Sequence, residues 1–311
     1  MIVVVTIVAL AALAALTWAG TAAIERANPP SGRFVDVAGG RLHIVELGAV
    51  DAPPVVLLHG ASGNLADMRL ALGDRLAARY RVVLVDRPGH GWSDRPGGAT
   101  DASPAAQAEL IHEALAVLRI RRPIVLGHSW SGALATAYAL AFPDEMSGLV
   151  LLAPVTHPWP GGIGWINDVA ALPVIGGLIA RTLILPAGYF MLNPGVAAVF
   201  RPDRPPPDYS ARTAVAMLLR PREFIANAQD LAGLKEFVRA QSPRYGEIKM
   251  PVAIISGDRD PVVYTDIHSR AIALQVPHAS LTVLPGVGHM VQYVATDLVV
   301  GAIDAMAAAR L

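Results

Sequence analysis

The chain has 311 residues, enough for one large domain with an insertion and a sizeable buried core. Its 25 basic and 25 acidic residues balance, so there is no electrostatic footprint for nucleic acid. With no cysteine, disulfides, zinc–thiolate sites and thiol nucleophiles are excluded.

The first segment, Ile2 to Ile24, carries no charge. As a helix it would be roughly 35 Å long, more than the ~30 Å hydrocarbon core of a bilayer. Residues 2–24 are therefore expected to form a single-pass membrane anchor whose partner is the lipid bilayer. The alternative is a signal cleaved near Gly20-Thr21-Ala22-Ala23, with a secreted or periplasmic product. Against cleavage, no Lys or Arg precedes the apolar run, which is also longer than a usual signal core. Arg26 and Arg33 follow the span with Glu25 beside them, so charge bias does not set its orientation.

Residues 25–32, with Pro29-Pro30-Ser31-Gly32, read as a linker. Phe34 to Val37 and Leu42 to Leu47 then alternate apolar and polar around Gly39-Gly40, the pattern of a β-hairpin. Beyond it, short continuous apolar runs begin at Val55, Val82, Ile124, Leu149 and Val252, as suits strands covered on both faces of a parallel sheet. Helical patterns separate them. One opens on Ser103-Pro104, an N-cap with proline at N1, and another runs from Ser131 to Phe142 and ends at Pro143. The chain closes with a strand at Leu281 to Leu284 and a helix expected over about Val291 to Ala309. Such alternation indicates an α/β fold with a mostly parallel sheet.

The rhythm breaks between about Thr156 and Ile248, which divides the expected core into residues 33–155 and 248–311 around a helical insertion at 156–247. Helical pieces are expected at Arg212 to Leu219 and Glu223 to Leu234. From Ile163 to Phe200 only Asp168 and Arg181 are charged, and Pro173, Pro186 and Pro194 should cut this stretch into pieces too short to span a bilayer.

The most informative motif is Gly127-His128-Ser129-Trp130-Ser131-Gly132, directly after the apolar run Ile124-Val125-Leu126. A strand running through Gly-x-Ser-x-small into a helix is a nucleophile elbow, in which only small residues fit two positions either side of the serine. A serine needs a base to take its proton and a third group to orient that base. The expected chain order is Ser, then Asp or Glu, then His. Both partners follow at strand ends: Ser256-Gly257-Asp258-Arg259-Asp260-Pro261 and Pro285-Gly286-Val287-Gly288-His289. Upstream, His59-Gly60-Ala61-Ser62-Gly63-Asn64 offers a backbone N–H that, with that of Trp130, could bind an oxyanion.

Together with Asp86 to Pro96 (DRPGHGWSDRP) and Gly257 to Val263 (GDRDPVV), these motifs resemble the serine-dependent α/β-hydrolases with a helical cap, over roughly residues 33 to 311. The resemblance implies the α/β-hydrolase fold: an eight-stranded, mostly parallel sheet with flanking helices and a cap inserted after Leu152. By position it implies Ser129 as nucleophile, His289 as general base and then acid, and Asp260, the second aspartate of its motif, as orienting acid in preference to Asp258. Ala61 and Trp130 would supply the oxyanion N–H groups.

His59 and His128 are expected to pack and hydrogen-bond locally, and His90 and Trp92 to lie in a structural loop bordering the pocket. Glu109, His112 and Glu113 share one helix but have no partner motif, so no metal is expected. No GxGxxG or P-loop follows a strand, so no nucleotide cofactor is expected either. The expected activity is hydrolysis of a carboxylic ester or related acyl compound, with a small hydrophobic acyl substrate. Serine at the elbow does not separate an esterase from a C–C bond hydrolase or a cofactor-free perhydrolase. A membrane-tethered, non-catalytic binding protein on the same fold is the alternative from another class. Oligomeric state is not legible.

Overall fold

A computed structural model describes residues 1–308. Its strands are β1 (Arg33–Val37), β2 (Gly40–Leu47), β3 (Pro54–Leu58), β4 (Arg81–Val85), β5 (Ile124–His128), β6 (Gly148–Leu152), β7 (Val252–Gly257) and β8 (Ser280–Leu284). They form one eight-stranded sheet in the order β1-β2-β4-β3-β5-β6-β7-β8, in which β2 pairs antiparallel with β1 and β4 and all other pairs are parallel. The continuous apolar runs have a simple origin. Successive residues face opposite sides: Val56 and Leu58 enter the core on one face, Val55 and Leu57 that on the other.

The longer helices are α1 (Ile2–Ala27), α2 (Pro104–Val117), α3 (Ser131–Ala141), α4 (Ile175–Phe200), α5 (Pro221–Gln241) and α6 (Thr296–Ala308). Helix α2 starts as its sequence demands, with Ser103 Oγ accepting from the Ala106 amide at 3.2 Å and proline in the first turn. Only helices and turns lie between β6 and β7.

Several expectations need correction. Pro186 and Pro194 do not cut the stretch before Phe200: α4 runs unbroken for 26 residues, long and apolar enough to cross a membrane, and is mostly unburied. A π-helical turn at Ala180–Ile184 precedes Pro186, which then falls at the restart of regular α-helix, while Pro194 is held inside α4 at the cost of one backbone hydrogen bond. The piece expected at Arg212 to Leu219 is divided, because Ala214 has a left-handed backbone (φ +51) between two short turns. Helix α5 extends to Gln241, well past Leu234. The C-terminal helix is interrupted at Ala295, and Ala309 lies outside the described residues.

Helix α1 also continues three residues into the expected linker, ending only before Pro29. The linker is tied down: Trp92 Nε1 donates to the Asn28 carbonyl at 3.0 Å, and Glu25 pairs with Arg220 at 3.2 Å. One side of α1 rests on the segment between β6 and β7, where Thr17 is buried and its hydroxyl donates to the Thr182 carbonyl at 3.4 Å.

Candidate active site

Ser129 stands at the turn from β5 into α3 with φ +55, a left-handed conformation that a non-glycine residue adopts at some cost in strain. The turn enforces it. The Ser129 amide donates to the Leu152 carbonyl (2.9 Å), and its own carbonyl accepts from Gly132 (2.8 Å) and Val155 (2.9 Å). A Cβ on Gly127 would stand 2.2 Å from the Ser131 carbonyl oxygen, and one on Gly132 would meet Pro154 at 2.4 Å, so both positions exclude side chains. Ser131, where glycine is usual, fits because its hydroxyl donates to the His59 carbonyl at 2.5 Å.

The loops after β7 and β8 are stitched together by amides of Asp258 and Arg259 donating to the carbonyls of Leu284 and Val287 (3.1 and 3.0 Å). This places Asp260 Oδ2 2.7 Å from His289 Nδ1, both side chains buried. A carboxylate there requires the proton on Nδ1, which leaves Nε2 as the acceptor. The other Asp260 oxygen accepts from the amides of Val262 and Val263 (2.7 and 2.9 Å). Asp258 instead is exposed and accepts from the Gly286 amide at 2.7 Å, shaping the loop rather than reaching the histidine. Of the two aspartates, the structure brings Asp260 to His289.

Ser129 and His289 line one cavity of about 440 Å³, walled largely by α4 and by apolar residues such as Leu218, Phe224 and Met290. A second cavity, of about 260 Å³, is lined by Ala61, Ser129 and Trp130 together with Trp159, Leu231 and Val263. The two residues expected to donate oxyanion N–H groups thus adjoin the serine in one space. Trp130 is fixed there: its indole donates to the Asp230 carbonyl at 3.1 Å, and the Arg87 guanidinium lies 4.0 Å above its ring.

A family model for the alpha/beta hydrolase fold matches residues 53–296. The chain belongs to the α/β-hydrolase family. A 2-hydroxy-6-oxononadienedioate/2-hydroxy-6-oxononatrienedioate hydrolase of Cupriavidus pinatubonensis is 30% identical over 269 residues, covering 84% of this chain and 90% of that protein. Among solved structures, an α/β-hydrolase fold protein from Burkholderia ambifaria superposes with a TM-score of 0.73 at 26% identity, over 87% of this chain and 96% of that one. The esterase RhEst1 from a Rhodococcus species reaches a TM-score of 0.65 at 23% identity, over 88% and 97% respectively.

In this hydrolase two further histidines near the serine, His59 and His128, are kept neutral. His59 donates from Nδ1 to the Gly60 carbonyl (2.8 Å) and accepts at Nε2 from the Arg87 amide (3.1 Å); burial, then Arg87, lowers its pKa to about 3. Burial, and then the His289 ring whose centroid is 4.9 Å away, likewise holds His128 well below the usual histidine range. Neither competes as a base at neutral pH.

His90 and Trp92 are not among the residues lining the cavity of Ser129 and His289. Their loop is occupied structurally: His90 Nε2 meets Arg87 Nη2 at 3.1 Å, and the Arg220 guanidinium sits 5.1 Å over the Trp92 ring. On α2, His112 stacks on Phe142 at 3.8 Å and Glu113 accepts from the Ala38 amide at 2.8 Å. Among the described residues, no His, Asp and Glu group could hold a metal ion.

Two polar clusters escaped sequence reading. Asp230, on α5 and fully buried, takes Arg87 Nη1 at 2.7 Å, Arg95 Nη2 at 2.8 Å and Gln107 Nε2 at 3.1 Å, binding the segment before β7 to the loop after β4. Asp67 lines the catalytic cavity and accepts the hydroxyls of Tyr209 (2.7 Å) and Tyr293 (2.9 Å); burial raises its pKa. No local motif announces either acid, because their partners lie more than 100 residues away in sequence.

Proposed function

We propose that this chain is a serine hydrolase that cleaves a neutral, hydrophobic carboxylic ester through an acyl-Ser129 intermediate. His289 Nε2 takes the Ser129 hydroxyl proton as Oγ attacks the acyl carbon, and the N–H groups of Ala61 and Trp130 receive the developing oxyanion. His289 returns the proton to the leaving alcohol oxygen. A water, deprotonated by the same nitrogen, then attacks the acyl carbon, and Oγ leaves with the proton. Asp260 holds the imidazole tautomer and stabilises the imidazolium.

The supporting observation is the join of the Asp260–His289 hydrogen bond to an apolar cavity that also contains the strained serine. Cavity chemistry also favours this reading over the C–C hydrolase suggested by the name of the Cupriavidus relative, a name that specifies a dicarboxylate. Neither cavity beside Ser129 has a Lys or Arg among its described lining residues, and the larger one presents Asp67. A dicarboxylate would find no cation there and one acid. Retention of α1 is supported by the Thr17–Thr182 contact, which cleavage near Ala23 would remove, so membrane anchorage through residues 2–24 belongs to the same proposal.

A fluorophosphonate probe should label the full-length protein at Ser129, and p-nitrophenyl esters should be turned over in preference to a dienedioate. No labelling together with no ester turnover would reject the reading in favour of a non-catalytic binding protein.

A further inference from the structure

We infer that the outer face of residues 165–199 lies in the acyl region of a lipid bilayer beside α1, and that the substrate, a long-chain acyl ester dissolved in that bilayer, enters the catalytic cavity from the hydrocarbon phase. The substrate class rests on the serine-hydrolase reading above; the bilayer face does not.

Three observations carry this inference. The first is exposure. Trp165, Val174 and Phe190 are 73%, 81% and 80% exposed, and between Ile163 and Phe200 only Asp168 and Arg181 are charged. Both charges are exposed, but none interrupts the surface from Thr182 to Phe200, and an apolar surface of that length marks an interaction site on a protein that must otherwise meet water. The face stops where the exposed, charged residues Arg201 and Arg204 follow α4.

The second observation identifies the occupant. Helix α1 is not held away from the hydrolase on a spacer. Its Thr17 hydroxyl meets the Thr182 carbonyl, and Gly20 approaches Leu185 so closely that a Cβ would stand 2.8 Å from Leu185 Cδ2. The contacts advance together along the two chains, so α1 and the first part of α4 run side by side in the same direction. Residues 2–24 carry no charge, and α1 is exposed all round from Ile2 through Val8 and again at Trp18. A bilayer that receives α1 therefore receives the neighbouring face of α4 with it. A 26-residue helix is about 39 Å long, so such a pair reaches well into the hydrocarbon layer.

The third observation connects this face to the chemistry. Ile166, Met191 and Val199 line the catalytic cavity and are themselves 47%, 63% and 36% exposed. They form a mouth, and the mouth opens on the apolar face. An ester entering there passes from lipid to Ser129 along apolar side chains, without its acyl chain crossing water.

The natural chain has no cysteine, so single labels can be placed cleanly. Val174→Cys and Phe190→Cys, which lie outside the cavity lining, would carry an environment-sensitive fluorophore in full-length protein reconstituted into phosphatidylcholine vesicles. Val117→Cys and Leu274→Cys, exposed on the sheet-flanking side, serve as controls. Emission from 174 and 190 should shift to the blue and be quenched several-fold by doxyl-labelled lipid, with the controls unaffected. A Val174→Glu, Phe190→Glu double variant should lose at least tenfold on a long-chain ester dissolved in the vesicles and keep its rate on water-soluble p-nitrophenyl acetate. Quenching no greater than at the controls would overturn the inference. So would a blue shift without lipid quenching, which would assign the face to a second copy of the chain. An equal loss on both esters would reject the entry route. If neither ester were hydrolysed while quenching persisted, the serine-hydrolase reading would fail and the bilayer face would stand.

Discussion

The sheet and the segment between β6 and β7 treat their apolar residues in opposite ways. In the sheet, every residue of β5 and β6 is buried, and the exposed apolar residues around it, such as Val50, Val117 and Leu274, are scattered. In α4 and α1, exposure is continuous over whole helical faces while polar groups such as Thr17 and Thr182 are buried between them. The sheet region is organised against water. The other turns its apolar faces outward. Ser129 sits on the boundary, held by the first and walled by the second, so its position depends on one region and its access on the other.

Substitutions at the catalytic end test the sheet's half of this contrast and should have the largest effects. Ser129→Ala removes one hydroxyl and leaves the strained turn held by its backbone hydrogen bonds, so thermal stability should hold while turnover falls drastically. The serine-protease precedent is a loss of about 10⁶. Retention of more than a few per cent of the rate would show that the elbow serine is not the nucleophile. Asp260→Asn should cost on the order of 10⁴, the drop known for the corresponding serine-protease change, because the amide holds the wrong imidazole tautomer. Asp258→Asn should cost far less, since that carboxylate only accepts the Gly286 amide. Steady-state kinetics on one soluble ester rank the pair, and a reversed ranking would transfer the orienting role to Asp258.

The same contrast explains what could be read from the chain alone. The strands, the tight turn at Ser129 and the strand-end loops that bring Asp260 to His289 were legible because each rests on local signals: apolar runs with period-independent burial, small residues around Ser129, and loops that follow strands directly. In the segment before β7 such signals mislead. Pro186 and Pro194 are helix breakers by local rule, yet a π-helical turn and an apolar setting let α4 continue through them. The apparent linker after Ile24 was likewise invisible as a docked element, because Glu25 finds Arg220 195 residues later. Asp230 and Asp67 were illegible for the same reason. A buried acid has meaning only once its distant partners are known.

Asp230 offers a way to break the two regions apart. Asp230→Ala would strand two buried guanidinium groups, Arg87 and Arg95, and such a loss typically costs about 3–5 kcal/mol. Urea unfolding of the detergent-solubilised protein should show a lower midpoint. It should also show α5 loosening before the sheet, as a second transition in near-ultraviolet signals to which Trp130 contributes. An unchanged midpoint would mean that the buried pairs are not what joins the regions.

The smallest expected effect tests how α1 is attached. Glu25→Gln deletes the charge opposite Arg220, but that guanidinium retains Glu223 and the carbonyls of Met217 and Gly91 as partners. Glu25 is also about one-third exposed, so solvent already screens the pair. The change should cost under about 1 kcal/mol, which for a domain of this size is a shift of roughly 2–3 °C in the midpoint of thermal unfolding in detergent. If the loss is that small, α1 is held chiefly by the close packing of Thr17 and Gly20 on α4, which apolar surroundings strengthen and detergent preserves. A loss several times larger would make the Glu25–Arg220 pair the main attachment. The helix would then be fastened near its C-terminal end only, and its remaining length would be free to leave the face of α4.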